Sequence, residues 1–288
     1  MRLSVIFGLL LSLMGCDPNV EIENIAADNL LSITCFISPQ DSIFKAYVFR
    51  ANRIGSTVKE DSAAVKDALV TISDGNKFDT LFLTFDVHPI SRVRIYKYSG
   101  KRRNVSVKDN LTYSLVVQTP SGEKVSAMCT IPPEPGAPAV SGVKENDDFR
   151  FSITWSNPFI YKYFILILDA VGSYDNPYPG GSGKIDLQPS LLEGIKFPSD
   201  KQVLNNSYEA VVPFAFLASN PALKVSIRNI DDGLFKYFKT YQRYQQWDDN
   251  NSGNLFPSFQ EIPLIYSNIN GGVGIFGGYN SSSIEIKL

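Results

Sequence analysis

The chain has 288 residues and a formal net charge of −2; 44% of its residues are hydrophobic and 19% are charged. These values predict a globular protein and exclude an intrinsically disordered or membrane-embedded chain. A mildly acidic chain also lacks the basic surface that nucleic-acid binding requires. One histidine, two tryptophans and three methionines leave little for metal or acid–base chemistry, so we expect no metal, no cofactor and no enzyme.

The first 15 residues have the features of an export signal. Residues 1–2 are a short charged region, and residues 3–14 form an apolar run that is too short to span a bilayer as a helix. The run ends in Leu-Met-Gly-Cys16, which resembles the lipobox of bacterial lipoproteins, whose cysteine is lipidated and becomes the new first residue. The resemblance implies that lipid on Cys16 anchors the protein to a membrane. The alternative is an ordinary signal peptide with a chance cysteine.

Residues 16–29 are polar and acidic and predict a tether. They loosely resemble the acidic stretch that sends some Bacteroidota lipoproteins to the cell surface, and a plain solvated spacer is the alternative.

Residues 30–131 predict an Ig-like or transthyretin-like β-sandwich. Short segments that alternate or run apolar are separated by turn sequences such as Ser-Asp-Gly at 73–75. The predicted strands are 31–37, 43–51, 68–72, 79–85, 92–98, 111–118 and 124–131. Residues 65–75 resemble the strand-and-turn unit of transthyretin-like and carboxypeptidase-regulatory-like domains.

Two cysteines remain after Cys16, and both fall on the apolar face of a predicted strand. Cys35 shares its face with Leu31 and Ile33, and Cys129 shares its face with Val125. In an oxidising envelope they form a disulfide or remain two buried thiols, and the sequence favours neither outcome.

Residues 132–140 are Pro-rich and predict a stiff linker that holds two domains apart. The second domain, residues 141–288, is predicted to be β-rich. Its predicted strands are 149–155, 161–170, 208–216, 223–230 and 284–288. Between them, residues 172–200 lose periodicity and predict a long loop.

A helix is predicted over residues 234–247. Leu234, Tyr237, Phe238, Tyr241, Tyr244 and Trp247 recur on one helical face. Asp231 or Asp232 is placed to cap the amino terminus. The aromatic stripe predicts packing against a sheet, and a ligand shelf is the alternative.

Residues 223–283 carry a family resemblance. A strand leads into the Tyr-rich helix, followed by Asn-Leu-Phe-Pro at 254–257 and by Ile-Tyr-Ser-Asn-Ile-Asn-Gly-Gly-Val-Gly-Ile-Phe-Gly-Gly-Tyr at 265–279. This pattern resembles the Bacteroidota lipoprotein family known as domain of unknown function 4249. Leu255 departs from the expected Asn-Pro-Phe turn. The resemblance implies an outer-membrane protein beside a TonB-dependent transporter, and it transfers no catalytic residues.

Two motifs resemble ligand sites. Gly272, Gly274 and Gly277 have dinucleotide-fingerprint spacing, but the required helix and acidic residue do not follow, so close backbone packing is the better interpretation. The second motif is half of a calcium loop, in which Asp248, Asn250 and Ser252 form a candidate binding loop. The position of its bidentate glutamate is Phe259, and a solvated loop is therefore favoured.

Other polar residues indicate weaker candidates. His88 lies beside a proline with no nucleophile motif around it, which favours a surface histidine. Lys97, Lys101, Arg102 and Arg103 predict a basic hairpin tip, which either is solvated or binds an acidic partner. Ser42, Ser62 and Thr80 each follow an aspartate in a sequence that resembles the Bacteroidota O-glycosylation sequon.

These features predict a mainly β, non-enzymatic lipoprotein of the outer membrane, on its periplasmic face or at the cell surface. The predicted function is accessory or ligand-binding partner of a TonB-dependent transporter, with no nucleic-acid partner. The binding surface is expected at the loops 172–200 and 248–259. The alternatives are a fimbrial or adhesin-type structural subunit, which would exchange a terminal strand, and an envelope hydrolase.

Overall fold

The computed structural model describes residues 29–51, 63–87, 92–145, 148–155, 164–171, 174–175, 184–185, 194–196, 207–213, 222–251 and 263–287. Within these ranges the chain is mainly β, with one long helix, as the sequence predicts. The elements are β1 (Leu31–Ile37), β2 (Ile43–Arg50), β3 (Leu69–Ser73), β4 (Phe78–Val87), β5 (Arg94–Lys101), β6 (Thr112–Gln118), β7 (Lys124–Thr130), β8 (Pro138–Glu145), β9 (Asp148–Trp155), β10 (Phe164–Val171), β11 (Tyr174–Asp175), β12 (Lys184–Ile185), β13 (Gly194–Lys196), β14 (Ser207–Pro213), β15 (Ala222–Ile230), α1 (Asp232–Asn251) and β16 (Val273–Lys287).

Strands β1 to β7 form the predicted β-sandwich, and all seven predicted strands are confirmed. β4 is the corner strand, because residues 78–81 pair with β3 and residues 82–87 pair with β5. The two layers bury one apolar core, to which β1 contributes every second side chain. The hydroxyl of Tyr113 donates to the Ser106 carbonyl at 2.8 Å and accepts from the Lys108 N–H at 2.8 Å. This arrangement is the tyrosine corner typical of Ig-like sandwiches.

The last strand crosses the domain boundary that the sequence predicts. Residues 273–278 of β16 pair in parallel with β1, and residues 279–287 pair antiparallel with β15. Phe276 and Ile269 are buried in the same core as β1 to β7. The division into two domains remains a prediction, but the amino-terminal sandwich takes one of its strands from the far end of the chain.

The Pro-rich linker is packed against the structure and does not hold two domains apart, contrary to the expectation. The amide of Asn280 donates to the Pro132 carbonyl at 3.1 Å, and the amide of Asn229 donates to the Pro133 carbonyl at 2.8 Å. Pro135 is buried, and β8 begins at Pro138 and pairs with β9. This Pro-rich segment therefore lies along β15 and β16, whose asparagine side chains donate hydrogen bonds to two of its carbonyls.

The carboxy-terminal region adds further strands and the helix. β13, β10, β15 and β16 are neighbours in the sheet that continues into β1, β14, β9 and β8 form a second sheet, and β11 pairs with β12. Residues 194–196, inside the predicted loop 172–200, pair with β10 as β13. Helix α1 packs its first turns on the outer face of β16 and β1, where Leu234 is buried beside Ile275. The predicted packing of the aromatic stripe on a sheet is confirmed for Tyr237 and Phe238.

Candidate functional site

The outer face of the sandwich carries a surface cleft of about 520 Å³ on strands β2, β4 and β5. Phe78 and Phe82 project from β4 into it and are 61% and 68% exposed, whereas Leu81 between them is buried. Large apolar side chains exposed together mark contact surfaces more often than isolated ones do. We call this surface the Phe82 cleft; its residues are Ile43, Phe78, Asp79, Thr80, Phe82, Ser99, Gly100, Lys101, Arg103 and Asn104.

Asp79 fixes one wall of the Phe82 cleft. Its side chain is only 4% exposed and accepts hydrogen bonds from the backbone N–H groups of Arg103 at 3.2 Å, Asn104 at 3.1 Å and Val105 at 2.9 Å. The Asn104 side-chain amide donates to the same carboxylate at 3.0 Å. These bonds hold the segment after β5 against β4, so Arg103 has a fixed position beside Phe78.

The predicted basic tip divides into two pairs of cations. Lys97 is nearly buried and forms an ion pair with Asp86. Arg102 donates to the carbonyls of Ser38 at 3.0 Å and Pro39 at 3.1 Å, and to that of Asp41, so it holds the β1–β2 turn. These two cations therefore make their ion pair and hydrogen bonds within the fold.

Lys101 and Arg103, in contrast, are exposed in the Phe82 cleft. Neither side chain has an ion-pair partner among the residues described above. The cleft therefore combines two exposed aromatic rings with two uncommitted positive charges. Sequence reasoning missed the aromatic rings; the signal was that Phe78 and Phe82 share a strand face with Thr80, opposite the face of Leu81.

A second concavity, of about 320 Å³, lies on the same face and shares Ile43 with the Phe82 cleft. We call it the Asp41 cavity; its residues are Thr34, Phe36, Asp41, Ser42, Ile43, Lys45, Tyr47 and Tyr279. The Tyr279 hydroxyl donates to the Asp41 carboxylate at 3.0 Å, and the guanidinium of Arg228 lies 5.2 Å from the Tyr279 ring centre. The cavity is therefore closed at one side by a contact between the β1–β2 turn and β16.

Burial raises the pKa values of the two titratable groups that meet in the Asp41 cavity, Asp41 and Tyr279. Desolvation raises the pKa of Asp41 against the opposing effect of the Tyr279 hydrogen bond and of nearby cations, chiefly Arg228. Desolvation, with the Asp41 charge, raises the pKa of Tyr279 to about 12. The phenol therefore stays protonated at neutral pH and acts as a donor. This pair joins two parts of the chain, and its geometry is that of a structural clasp.

The glycines with dinucleotide-like spacing are packing positions in β16. Gly274 has φ +113°, and a Cβ there would lie 2.0 Å from the Ile33 carbonyl oxygen. A Cβ on Gly277 would lie 3.0 Å from Leu234 of helix α1. The side chain of Asn268 accepts from the Phe276 N–H at 2.9 Å and donates to the Phe276 carbonyl at 2.8 Å. The glycines let β16 run close to β1 and beneath helix α1. This agrees with the interpretation that they serve close backbone packing.

Two of the three residues of the candidate binding loop lie in a helix and not in a loop. Asp248 and Asn250 lie in helix α1, which runs to Asn251, four residues beyond its predicted end. The favoured solvated loop is therefore wrong at these two positions, and the helical backbone also does not match the calcium-loop alternative there. Ser252 lies outside the described residues, as do most of the loop 248–259, His88, Ser62 and Cys16.

The other predicted modification sites lie beside the two concavities. Ser42 is exposed at the start of β2 in the Asp41 cavity, and Thr80 is half-buried in the Phe82 cleft between Phe78 and Phe82. Glycosylation of either residue remains a prediction.

Cys35 and Cys129 are free thiols, both buried in the core of the sandwich. Burial is the main cause that raises the pKa of both thiols. They are therefore protonated and unreactive in this conformation. A disulfide between them is the other of the two alternatives that the sequence leaves open.

No group of three or more histidine, cysteine, aspartate or glutamate side chains placed to hold a metal is found in the ranges that the structure describes. The same ranges contain no helix with the length and apolar character needed to cross a bilayer.

A family model described as "Domain of unknown function (DUF4249)" matches residues 17–285. No curated protein matches the chain. Among solved structures, the chain is similar to the chicken interferon gamma receptor alpha chain, at 11% identity and a TM-score of 0.22, over 70% of this chain and 89% of that one.

Two further solved structures are similar to the chain. The FN1–FN3 domains of chicken CNTN1 match at 9% identity with a TM-score of 0.27, over 70% of this chain and 61% of that one. A 1.5-MDa bacterial ice-binding adhesin matches at 11% identity with a TM-score of 0.22, over 90% of this chain and 65% of that one. At these TM-scores the similarities carry no argument about function.

Proposed function

The chain belongs to the DUF4249 family, and from this premise we propose that it is a lipid-anchored, non-enzymatic ligand-binding protein of the Bacteroidota outer membrane. In this proposal it works as an accessory of a TonB-dependent transporter. The lipobox-like Leu-Met-Gly-Cys16 supports the anchor, and the carboxy-terminal resemblance supports the place beside a transporter.

The observation that carries the ligand-binding role is the Phe82 cleft. Its exposed rings and the cations Lys101 and Arg103 lie together on a rigid sheet face, held there by the hydrogen bonds to Asp79. If Phe78 and Phe82 served only the fold, we would expect them to be buried or to be replaced by polar residues. Their exposure beside uncommitted charges supports a surface that is covered when a ligand binds.

The anchor is tested by replacing Cys16. We expect the wild-type protein to take up labelled palmitate and to sediment with outer membranes, and Cys16→Ser to lose both properties. Cys35→Ser is the matched control, because its thiol is buried in the core and would not be acylated. Equal labelling of wild type and Cys16→Ser would contradict the lipid anchor.

The accessory role is tested by capturing the tagged protein from native outer membranes in mild detergent and identifying its companions by mass spectrometry. A stoichiometric TonB-dependent transporter supports the role. Fimbrial subunits would replace it with the structural alternative, although β16 is hydrogen-bonded to β1 and β15 within the chain and is not free for exchange. Capture of the tagged protein without any companion would contradict the proposal that it forms a stable complex with a transporter.

A further inference from the structure

We propose that the Phe82 cleft binds an acidic oligosaccharide, with Phe78 and Phe82 stacking on sugar rings and Lys101 and Arg103 neutralising carboxylate or sulfate groups. The proposal rests on the ligand-binding part of the proposed function and names its ligand class. It is argued from the geometry of the cleft, from its charge and from the pairing of its strands.

The two rings form a platform along one strand. Phe78 and Phe82 lie four residues apart on the same face of β4, which separates their Cα atoms by about 13 Å. The side chain between them on this face is that of Thr80, a hydroxyl group that can exchange hydrogen bonds with a ligand. Flat aromatic faces pack against the apolar C–H faces of pyranose rings, so a repeating chain of rings matches a repeating platform.

The charge of the cleft selects an anionic ligand. Lys101 and Arg103 line the same cleft and, within the described part of the chain, have no ion-pair partner. Asp79, the carboxylate that lines the same cleft, is buried and accepts hydrogen bonds from N–H donors. A guanidinium forms paired hydrogen bonds with carboxylate or sulfate oxygens, and the ammonium adds a second positive charge.

The pairing of the strands favours a saccharide over an acidic peptide. Extended peptides commonly bind by adding a strand to a free sheet edge. Under the Phe82 cleft, Thr80 and Leu81 pair with β3, and Phe82 pairs with Ser99 of β5. Each of these residues is paired on one side only, but β4 lies between β5 and β3 in the sheet and is not an edge strand. Gly100 of β5 lies close to the Thr80 carbonyl, where an added Cβ would be 2.9 Å from the oxygen. We therefore expect recognition by side chains above the sheet, as stacking aromatic rings and exposed cations provide.

The test measures binding of the full chain, solubilised in detergent, to oligogalacturonate and to chondroitin sulfate oligosaccharides by titration calorimetry. The matched ligand is oligogalacturonate methyl ester, which keeps the rings and removes the charge. Two variants alter the cleft, Phe82→Ala and the double variant Lys101→Gln/Arg103→Gln. Two control variants, Met128→Ala and Lys124→Gln, remove an exposed apolar side chain and an exposed cation from β7, outside the cleft.

We expect binding of at least one acidic oligosaccharide, weakened at least tenfold by Phe82→Ala and by the double cation variant, and unchanged in the β7 variants. High salt should weaken the wild type and have little effect on the double variant. The proposal would be overturned if the methyl ester bound as tightly as the acid. It would also be overturned if polyglutamate bound to the protein and both cleft variants weakened that binding to the same degree. If neither acidic saccharide binds, the proposed ligand class is also overturned. The accessory role would not be affected, because it is tested separately by capture from outer membranes.

Discussion

Asp79 is a buried carboxylate whose partners are mostly backbone N–H groups, and this makes it the residue on which the wall of the Phe82 cleft depends. We expect Asp79→Asn to destabilise the protein by about 2 kcal/mol, because one acceptor oxygen becomes a donor that faces another donor. Urea unfolding measures the change. Asp109→Asn, at an exposed turn, should change the free energy of unfolding by less than about 0.5 kcal/mol. Equal effects of the two substitutions would contradict the anchoring role.

Asp231 makes the stability of the protein depend on pH. Burial raises its pKa to about 6, although its oxygens accept the N–H groups of Leu234 and Gly278, both at 2.6 Å. Because the folded pKa lies above the ordinary value of 3.8, the folded state binds the proton more tightly than the unfolded state. The resulting stabilisation is present in full below about pH 4 and is lost as the pH rises through about 6.

Urea unfolding of wild type and Asp231→Asn across this range measures the effect. The wild-type free energy of unfolding, relative to that of Asp231→Asn, should fall by at most about 3 kcal/mol between pH 4 and 7 and stay level above. A relative free energy that rises with pH would show that the pKa of the carboxyl is depressed instead. The sequence correctly placed Asp231 as one candidate helix cap; its second bond, to Gly278, depends on the path of β16 and could not be predicted from local sequence.

At the scale of elements, β16 depends on glycines for its close approach to β1. Gly274→Ala should destabilise the protein by about 3 kcal/mol or more, because a Cβ would lie 2.0 Å from the Ile33 carbonyl oxygen and the residue has φ +113°. Gly75→Ala is the matched control, since Gly75 has φ +92° and a Cβ there meets nothing within 4 Å. Its cost should be about 1 kcal/mol. Similar midpoints in urea for the two variants would mean that the contact with Ile33 relaxes without strain.

The existence of the strands was more predictable than their partners. Alternation located β1 to β7 because one face of each strand is buried, and the aromatic stripe located α1. The ends of α1 were misplaced, since Asp248 and Asn250 favour turns in isolation. The parallel pairing of β16 with β1 was not predicted, because glycines give a weak strand signal and pairing partners leave no local pattern.

At the scale of the whole molecule, the amino-terminal sandwich should not fold without the end of the chain. A fragment of residues 17–140 lacks Phe276 and Ile269, which belong to its core, and lacks the strand that pairs with β1. We expect poorly dispersed NMR spectra and rapid proteolysis from this fragment. Co-expression with residues 222–288 should restore dispersion, because that segment carries β15, α1 and β16. A well-dispersed spectrum of the fragment alone would instead establish an independent amino-terminal domain.

Composition and pattern predicted the fold class, and the motif residues of 223–283 carried the family resemblance. Neither identified the candidate site. The expected binding loops 172–200 and 248–259 lie mostly outside the described residues, and their role stays a prediction. The Phe82 cleft lies on regular strands; Phe82 was placed inside a predicted strand and Phe78 just before it, and neither was singled out. Only the position of β3 and β5 beside β4 shows which phenylalanines face outward.

The parallel pair of β1 and β16 also sets the order in which the chain can mature. Ser32 of β1 pairs with Val273 of β16, which comes much later in the sequence, so β1 leaves the ribosome long before its neighbour exists. During that interval the edge of β1 that pairs with β16 has no partner, and the core lacks Phe276. A nascent chain that stops short of β16 would keep this edge open, so the sandwich is completed only after β16 has been made.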